Sequence, residues 1–380
     1  MNSFDDIRPY NDTEIPAAMQ RIAAAASFPL LAAYTFPDRS LQDVRSEVLS
    51  YNNIHDFQYN FMFHAVRQIL DKTTTAFTYG GIDNLTHGTS YLFTSNHRDI
   101  VLDATIMQEA LRAHDFPTTE ITFGANLMHG QMVIDLGKSN KMFRVERPGG
   151  SVREFYRSSL HLSEYLRMVL TEKHQSVWIA QRNGRTKDGI DRTDQGIIKM
   201  FGMSRTDDKI ESLTELNIVP VAVSYEWEPC DILKAIELYE RRNGEPYIKK
   251  PGEDLNSILT GITEPKGRVH LEFCRPVSRA DLMSFDRCTA GDFHKNVAAL
   301  IDQRICSAYR LTPNNYIAHD IRYGKKTYAS MYTAAEKDAF TNHMTTCLSR
   351  YEDDCDIDIL TDIFLGIYAN PVDSKSLINA

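Results

Sequence analysis

The chain has 380 residues, 42% hydrophobic and 24% charged, with a formal net charge of −9 and a pI near 5.8. This length allows one large domain with appendages or two domains, and the composition supports a substantial core. Net acidity argues against a nucleic-acid binder that works by bulk attraction to phosphate. The six cysteines (Cys230, Cys274, Cys288, Cys306, Cys347 and Cys355) show no C-x-x-C pair and no zinc-like spacing. Reduced thiols in a cytosolic protein are therefore expected, not a disulfide framework. Met1 to Tyr10 lacks the basic opening of a signal peptide.

Residues 1–75 read as a helical N-terminal lobe. Pro16 stands near the start of the first helix, and Pro29 and Pro37 break the helical pattern beyond it. The alanine-rich stretch Ile15 to Phe36 is interrupted by Gln20, Arg21 and Pro29, which argues against a spanning helix. A helical hairpin packed on the core is the preferred reading, and a surface patch that touches lipid is the other.

From residue 76 to about 285, strands and helices alternate. Strands are predicted at 74–79, 91–96, 119–125, 141–146, 176–181, 217–226 and 268–274, and helices at 100–113, 151–172, 194–202 and 229–242. In the 151–172 helix, Val152, Phe155, Ser159, Leu162, Leu166 and Val169 recur at helical spacing. Such alternation argues for an α/β fold, a central mixed sheet with helices on its faces. Residues 286–380 read as a helical C-terminal extension, with helices at 293–309, 334–351 and 357–368.

Charge is uneven along the chain. Lys138 to Lys199 holds 13 Lys and Arg against 7 Asp and Glu, whereas Tyr351 to Ala380 holds 7 acidic residues and one Lys. The cationic band suits an anionic ligand, and the acidic tail reads as solvated surface.

Four segments in or beside this band carry chemistry. Tyr91–Thr94 reads as a strand that hands over to a helix through Asn96-His97-Arg98-Asp99, with Asp103 further on. A neutral imidazole held by a carboxylate can take a proton from a hydroxyl near neutral pH. Alternatively, His97 merely caps the turn and Asp99 is the helix N-cap. Lys141-Met-Phe-Arg-Val-Glu-Arg147 places Arg144 and Arg147 on a short strand. Gln181-Arg-Asn-Gly-Arg185 ends another strand in a glycine turn. Ile218-Val-Pro-Val-Ala-Val-Ser-Tyr-Glu226 is a hydrophobic strand in which Pro220 marks an edge, a bulge or a strand start. Arg144, Arg147 and Arg185 offer planar donor forks to phosphate or carboxylate, and Gly184 allows close backbone approach.

In this order, Asn96-His97 with a downstream Asp, Phe143-Arg144-Val-Glu-Arg147, Arg182-Asn183-Gly184-Arg185 and Val219-Pro220-Val221 resemble the four blocks of the glycerolipid acyltransferases. The resemblance covers roughly residues 75–230, and the fourth block is closer to the glycerol-3-phosphate branch than to the lysophosphatidate branch. It implies acyl transfer from acyl-CoA or acyl carrier protein to a hydroxyl of an anionic lipid precursor. His97 would be the base and Asp103 its partner, with Asn96, Arg144, Arg147, Gln181, Asn183, Gly184, Arg185 and Pro220 around the substrate. No resident cofactor or metal is implied. The setting would be cytoplasmic, at the inner face of the membrane, with peripheral lipid contact.

Two departures from the family pattern stand out. The family's first block is H-x4-D, but position 102 is Leu and the acids stand at 99 and 103. One inserted residue would bring Asp103 into register; Asp99 pairing with His97 is the alternative. Asn183 also replaces the usual Glu before Gly184, which leaves room for an acylated amino acid as acceptor. A lipid-binding relative without catalysis is a third reading, favoured if neither acid reaches His97. The kinase-like His97-Arg-Asp99 is set aside, since position 104 is Ala and no glycine-rich nucleotide loop or Asp-Phe-Gly accompanies it.

Overall fold

The computed structural model describes residues 4–146, 151–244 and 247–379. Seven strands form one mixed sheet: β1 (Thr74–Gly80), β2 (Leu92–Ser95), β3 (Glu120–Gly124), β4 (Met142–Val145), β5 (Val177–Ala180), β6 (Ile218–Tyr225) and β7 (Gly267–Phe273), in the order β1-β7-β6-β2-β5-β3-β4. The strands from β6 to β4 run parallel, and β7 pairs antiparallel with β6. Burial on both faces explains the near-continuous apolar runs of β2 and β6.

Helices α1 (Ile15–Ala24), α2 (Phe28–Thr35), α3 (Leu41–Val48), α4 (Ile54–Phe57) and α5 (Phe63–Thr73) precede the sheet. Within it come α6 (Leu102–Arg112), α7 (Gln131–Ser139), α8 (Val152–Thr171), α9 (Gln195–Gly202), α10 (Lys209–Thr214), α11 (Asp231–Arg241) and α12 (Glu253–Thr263). After it come α13 (Arg279–Met283), α14 (Ala290–Ala308), α15 (Pro313–Arg322), α16 (Ala334–Leu348) and α17 (Ile357–Asn379).

Alternation along the strands divides the core. Leu92, Val177, Ile179 and Ile218 pack with α8, α9 and α14, and Phe93, Trp178, Val219 and Val221 pack with α5 and α6. Thus α14, beyond the last strand, covers one face of the sheet through Phe293, Val297 and Ile301. A third cluster joins α11 to α15, α16 and α17, and a fourth holds α1 to α4 together. Asp135 of α7 ties the N-terminal helices down by accepting from Tyr10 and Arg21 at 2.8 and 2.7 Å.

Several expectations change on the structure. Pro220 is not at an edge; it lies inside β6, between β2 and β7. Its carbonyl accepts from the Cys274 N–H at 2.9 Å, so its missing donor faces the point where the β7 ladder has already ended. The apolar face of α8 is only half used: Leu166 and Val169 are buried, while Val152 and Phe155 are exposed. No single helix is long and apolar enough to cross a membrane, and α1 and α2 are bent by 98° to one another. Ile15, Met19, Ile22 and Phe28 from this pair are buried, and Leu30 is 76% exposed. All six cysteines are unpaired.

Candidate active site

The chain leaves β2 toward α6 on one face of the sheet and leaves β5 toward α9 on the other. The carboxyl ends of these two strands therefore flank a topological switch point, where parallel α/β sheets form a crevice for ligands. His97 stands there, two residues past β2.

The Nδ1 of His97 lies 2.9 Å from Asp103 Oδ2. That oxygen also accepts the backbone N–H groups of Arg98 and Asp99, at 2.6 and 2.9 Å. Asp103 Oδ1 accepts the Tyr225 hydroxyl at 2.8 Å. An oxygen already taking two backbone donors has no proton to give, which assigns the proton to His97 Nδ1 and the free lone pair to Nε2. No partner meets Nε2 among the described residues, and the side chain is 14% exposed. The ring is set edge-on to Trp178, with centroids 5.7 Å apart. Burial and the charge of Asp103 hold the Tyr225 phenol far above its ordinary range, so it acts as a neutral donor.

The extra residue after His97 is absorbed in the turn. Asp99 Oδ1 accepts from Val101 and Leu102 N–H, both at 2.8 Å, and so closes the turn that leads into α6. Asp103, in the first turn, reaches back to the imidazole. Of the two acids, Asp103 meets His97, while Asp99 shapes the turn ahead of α6. Burial, then the neighbouring Asp103, push its carboxyl up from the usual range. A Cβ on Gly261 of α12 would come within 2.1 Å of Asp99 Oδ2, so glycine allows α12 to lie over this turn.

The residue between them, Arg98, is fully buried. Its Nη2 donates to Asp191 at 2.7 Å and to the Gly189 carbonyl at 3.2 Å, and its Nη1 donates to Glu228 at 3.2 Å. Lys234 donates to Glu228 at 2.6 Å and to the Arg98 carbonyl at 2.7 Å. Burial works against the charge of Arg98, but Asp191 and Glu228 overcome it and raise its pKa well above the usual value. Two cations and two carboxylates therefore anchor the His97 loop from beneath.

The other predicted residues divide. Asn96 is buried and fastens the loop: its amide donates to Asp191 and the Val223 carbonyl, and its carbonyl accepts from Val223 N–H. Thr186 N–H donates to the His97 carbonyl at 2.6 Å, which brings the third block beside the first. Arg185 lies against the Cys230 thiol, its charge is felt by Asp99, and its Nη1 is buried without a partner among the described residues. Gln181 is buried, with Nε2 equally unpartnered. Asn183 is exposed. Gly184 has φ +76 and open space where a Cβ would stand, so the turn itself calls for glycine. Arg144 is not beside His97; it is on edge strand β4, three strands from β2, and pairs with Glu146 at 2.7 Å. Arg147 lies outside the described residues.

Sequence reasoning missed Tyr225, Arg98 and the partners of Arg98. Tyr225 stands inside the fourth segment, but its register opposite α6 depends on strand pairing. Two open hollows, of about 520 and 450 Å³, lie along α14 and along β1 with α5; His97 lines neither.

The structure thus presents an α/β sheet with a His–Asp pair at the carboxyl end of a central parallel strand. No protein-family model matches the chain, and no curated protein matches it. Among solved structures, the chain is similar to the 1-acyl-sn-glycerophosphate (LPA) acyltransferase PlsC from Thermotoga maritima. The likeness covers 77% of this chain and 95% of that one, at 12% identity and a TM-score of 0.35. The functional reading therefore rests on the residues.

Proposed function

We propose that the chain is an O-acyltransferase that moves an acyl group from a thioester, acyl-CoA or acyl carrier protein, to a hydroxyl of glycerol 3-phosphate or lysophosphatidate. The observation that carries this reading is the His97–Asp103 pair, with Nε2 of His97 free at the switch-point crevice. Its position at the head of the ordered blocks gives the reaction class.

In this mechanism His97 Nε2 takes the acceptor's hydroxyl proton as its oxygen attacks the thioester carbonyl. Asp103 holds the tautomer and offsets the charge that forms on the ring. The C–S bond then breaks, and His97 returns the proton to the departing thiolate. Arg185, with its unpartnered Nη1 and its charge felt by Asp99, is the cation beside this loop that is left to hold the acceptor's anionic group, since Arg98 and Lys234 are spent on buried carboxylates. On this reading the protein works in the cytoplasm, in peripheral contact with the inner face of the membrane.

The non-catalytic alternative loses its motive, because Asp103 reaches the imidazole. An acylated amino acid as acceptor is favoured by one feature, the neutral and exposed Asn183 in place of an acid. Chromatographic analysis of products from lysophosphatidate and from an N-acyl amino acid would separate the two. His97→Ala is expected to lower acyl transfer by ~10²–10⁴-fold with the melting temperature unchanged. Retained transfer would contradict the assignment.

A further inference from the structure

A second cluster of chemistry-bearing side chains lies away from His97, where α11 meets the C-terminal helices. Asp231 Oδ2 is 2.8 Å from His343 Nε2, and Cys347 Sγ is 3.7 Å from the same nitrogen. All three donor atoms lie within 4.8 Å of one another. His343 and Cys347 are four apart on α16 and share one face.

The geometry separates two explanations. In a nucleophile–base–acid relay, the thiol and the carboxylate occupy different ring nitrogens. Here both meet Nε2, so the ring cannot relay a proton between them. Three donors of different softness converging on one point is instead the pattern of metal ligation. A tetrahedral zinc ion bonded at about 2.3 Å to sulfur and about 2.0–2.1 Å to nitrogen and oxygen separates S from N by about 3.6 Å and N from O by about 3.3 Å. The observed S–N separation of 3.7 Å matches, the N–O separation of 2.8 Å needs to lengthen by about half an ångström, and the S–O separation lies within 4.8 Å.

We propose that Asp231, His343 and Cys347 bind a divalent ion of the zinc class and fasten α16 to α11. The mixed S, N, O donor set suits zinc better than calcium or magnesium. Supporting groups are in place. Tyr368 of α17 donates to Asp231 Oδ2 at 2.6 Å, and the Ile232 N–H holds Oδ1 at 2.6 Å. Trp227 stands edge-on against the His343 ring at 4.7 Å and fixes its plane. His343 and Cys347 show the helical spacing in sequence, but the third ligand stands 112 residues before the histidine, which hides the site.

Metal-free full-length protein titrated with Co²⁺ is expected to develop one thiolate-to-cobalt absorption band in the near ultraviolet. Adding Zn²⁺ should abolish the band and raise the melting temperature of the full chain. Supporting partners are worth ~10–100-fold in metal affinity, so Cys347→Ser should weaken binding by at least ~100-fold and Tyr368→Phe by ~10-fold. Cys355→Ser and Cys288→Ser should leave the band unchanged. No band in the native chain, or a band that survives Cys347→Ser but is lost in either control, would overturn the proposal. His343→Gln provides a second ligand variant if Cys347→Ser fails to fold.

Discussion

His97 and Arg98 are neighbours in the chain, yet one keeps a ring nitrogen at a partly open crevice and the other is sealed among Asp191, Glu228 and Lys234. The difference arises from where a strand ends. Side chains just past β2 point alternately to the crevice and to the interior, and the interior one meets carboxylates from two other connections. The open residue has a single carboxylate fixing its tautomer, and its remaining nitrogen is free for a substrate. The sealed residue has both Nη atoms spent on protein, and only its buried Nε is left without a partner among the described residues.

Four substitutions break or sharpen this contrast. Asp103→Asn replaces the acceptor on His97 Nδ1 and should lower kcat by ~10²–10⁴-fold in a labelled-acyl assay, while Asp99→Asn should leave kcat within about threefold. Equal losses in the two variants would erase the distinction between the partner of the base and the residue that closes the turn. Arg98→Met should instead act on folding. Removing one member of a buried charge cluster costs ~3–5 kcal/mol, read by urea unfolding, because Asp191 and Glu228 are left buried beside Lys234. Tyr225→Phe lies between the two regions. It leaves Asp103 Oδ1 without its donor and should cost ~1.5–3 kcal/mol, with part of the loss appearing in kcat.

The smallest effect is a pH dependence at the rim of the sealed cluster. Asp302 accepts from the N–H and hydroxyl of Thr193, at 2.7 and 2.6 Å. Burial, with a contribution from Asp191, raises its carboxyl from 3.8 to about 6. Between those values the folded state holds a proton that the unfolded chain has released. Stability from this group is therefore greatest in acid and falls as pH rises from near 4 to near 6. Asp302→Asn should flatten that slope, worth up to ~3 kcal/mol, in unfolding curves across the window. An unchanged slope would remove Asp302 as its source.

Much of the architecture is legible in sequence. All seven predicted strands are present within two residues of their expected bounds, because buried parallel strands leave short runs of branched and aromatic residues. Helices α7, α10, α12, α13 and α15 are not among the predicted ones. In α12, Leu255 and Leu259 face outward while Ser257 and Gly261 are buried, so its apolar periodicity points the wrong way. In α15 a cue is present in the sequence, Thr312 followed by Pro313 at the first helical position, but the helix is short and its apolar stripe is thin. Within the site, sequence alone leaves Asp99 and Asp103 as rivals, since the choice depends on where the first turn of α6 begins. Arg144 stands apart from Arg185 for a related reason. Arg144 and Arg185 are 41 residues apart in sequence, and only strand order shows that β4 carries the first to the far edge.

The central claim is that His97, held by Asp103, activates an acceptor hydroxyl. The purified chain should be given labelled acyl-CoA, and separately labelled acyl carrier protein, with glycerol 3-phosphate, lysophosphatidate and an N-acyl amino acid, in parallel with His97→Ala. The account predicts label in at least one acceptor, lost in the variant while its melting temperature is unchanged. Label transfer that persists in His97→Ala, or none to any acceptor from either acyl-CoA or acyl carrier protein, would contradict it.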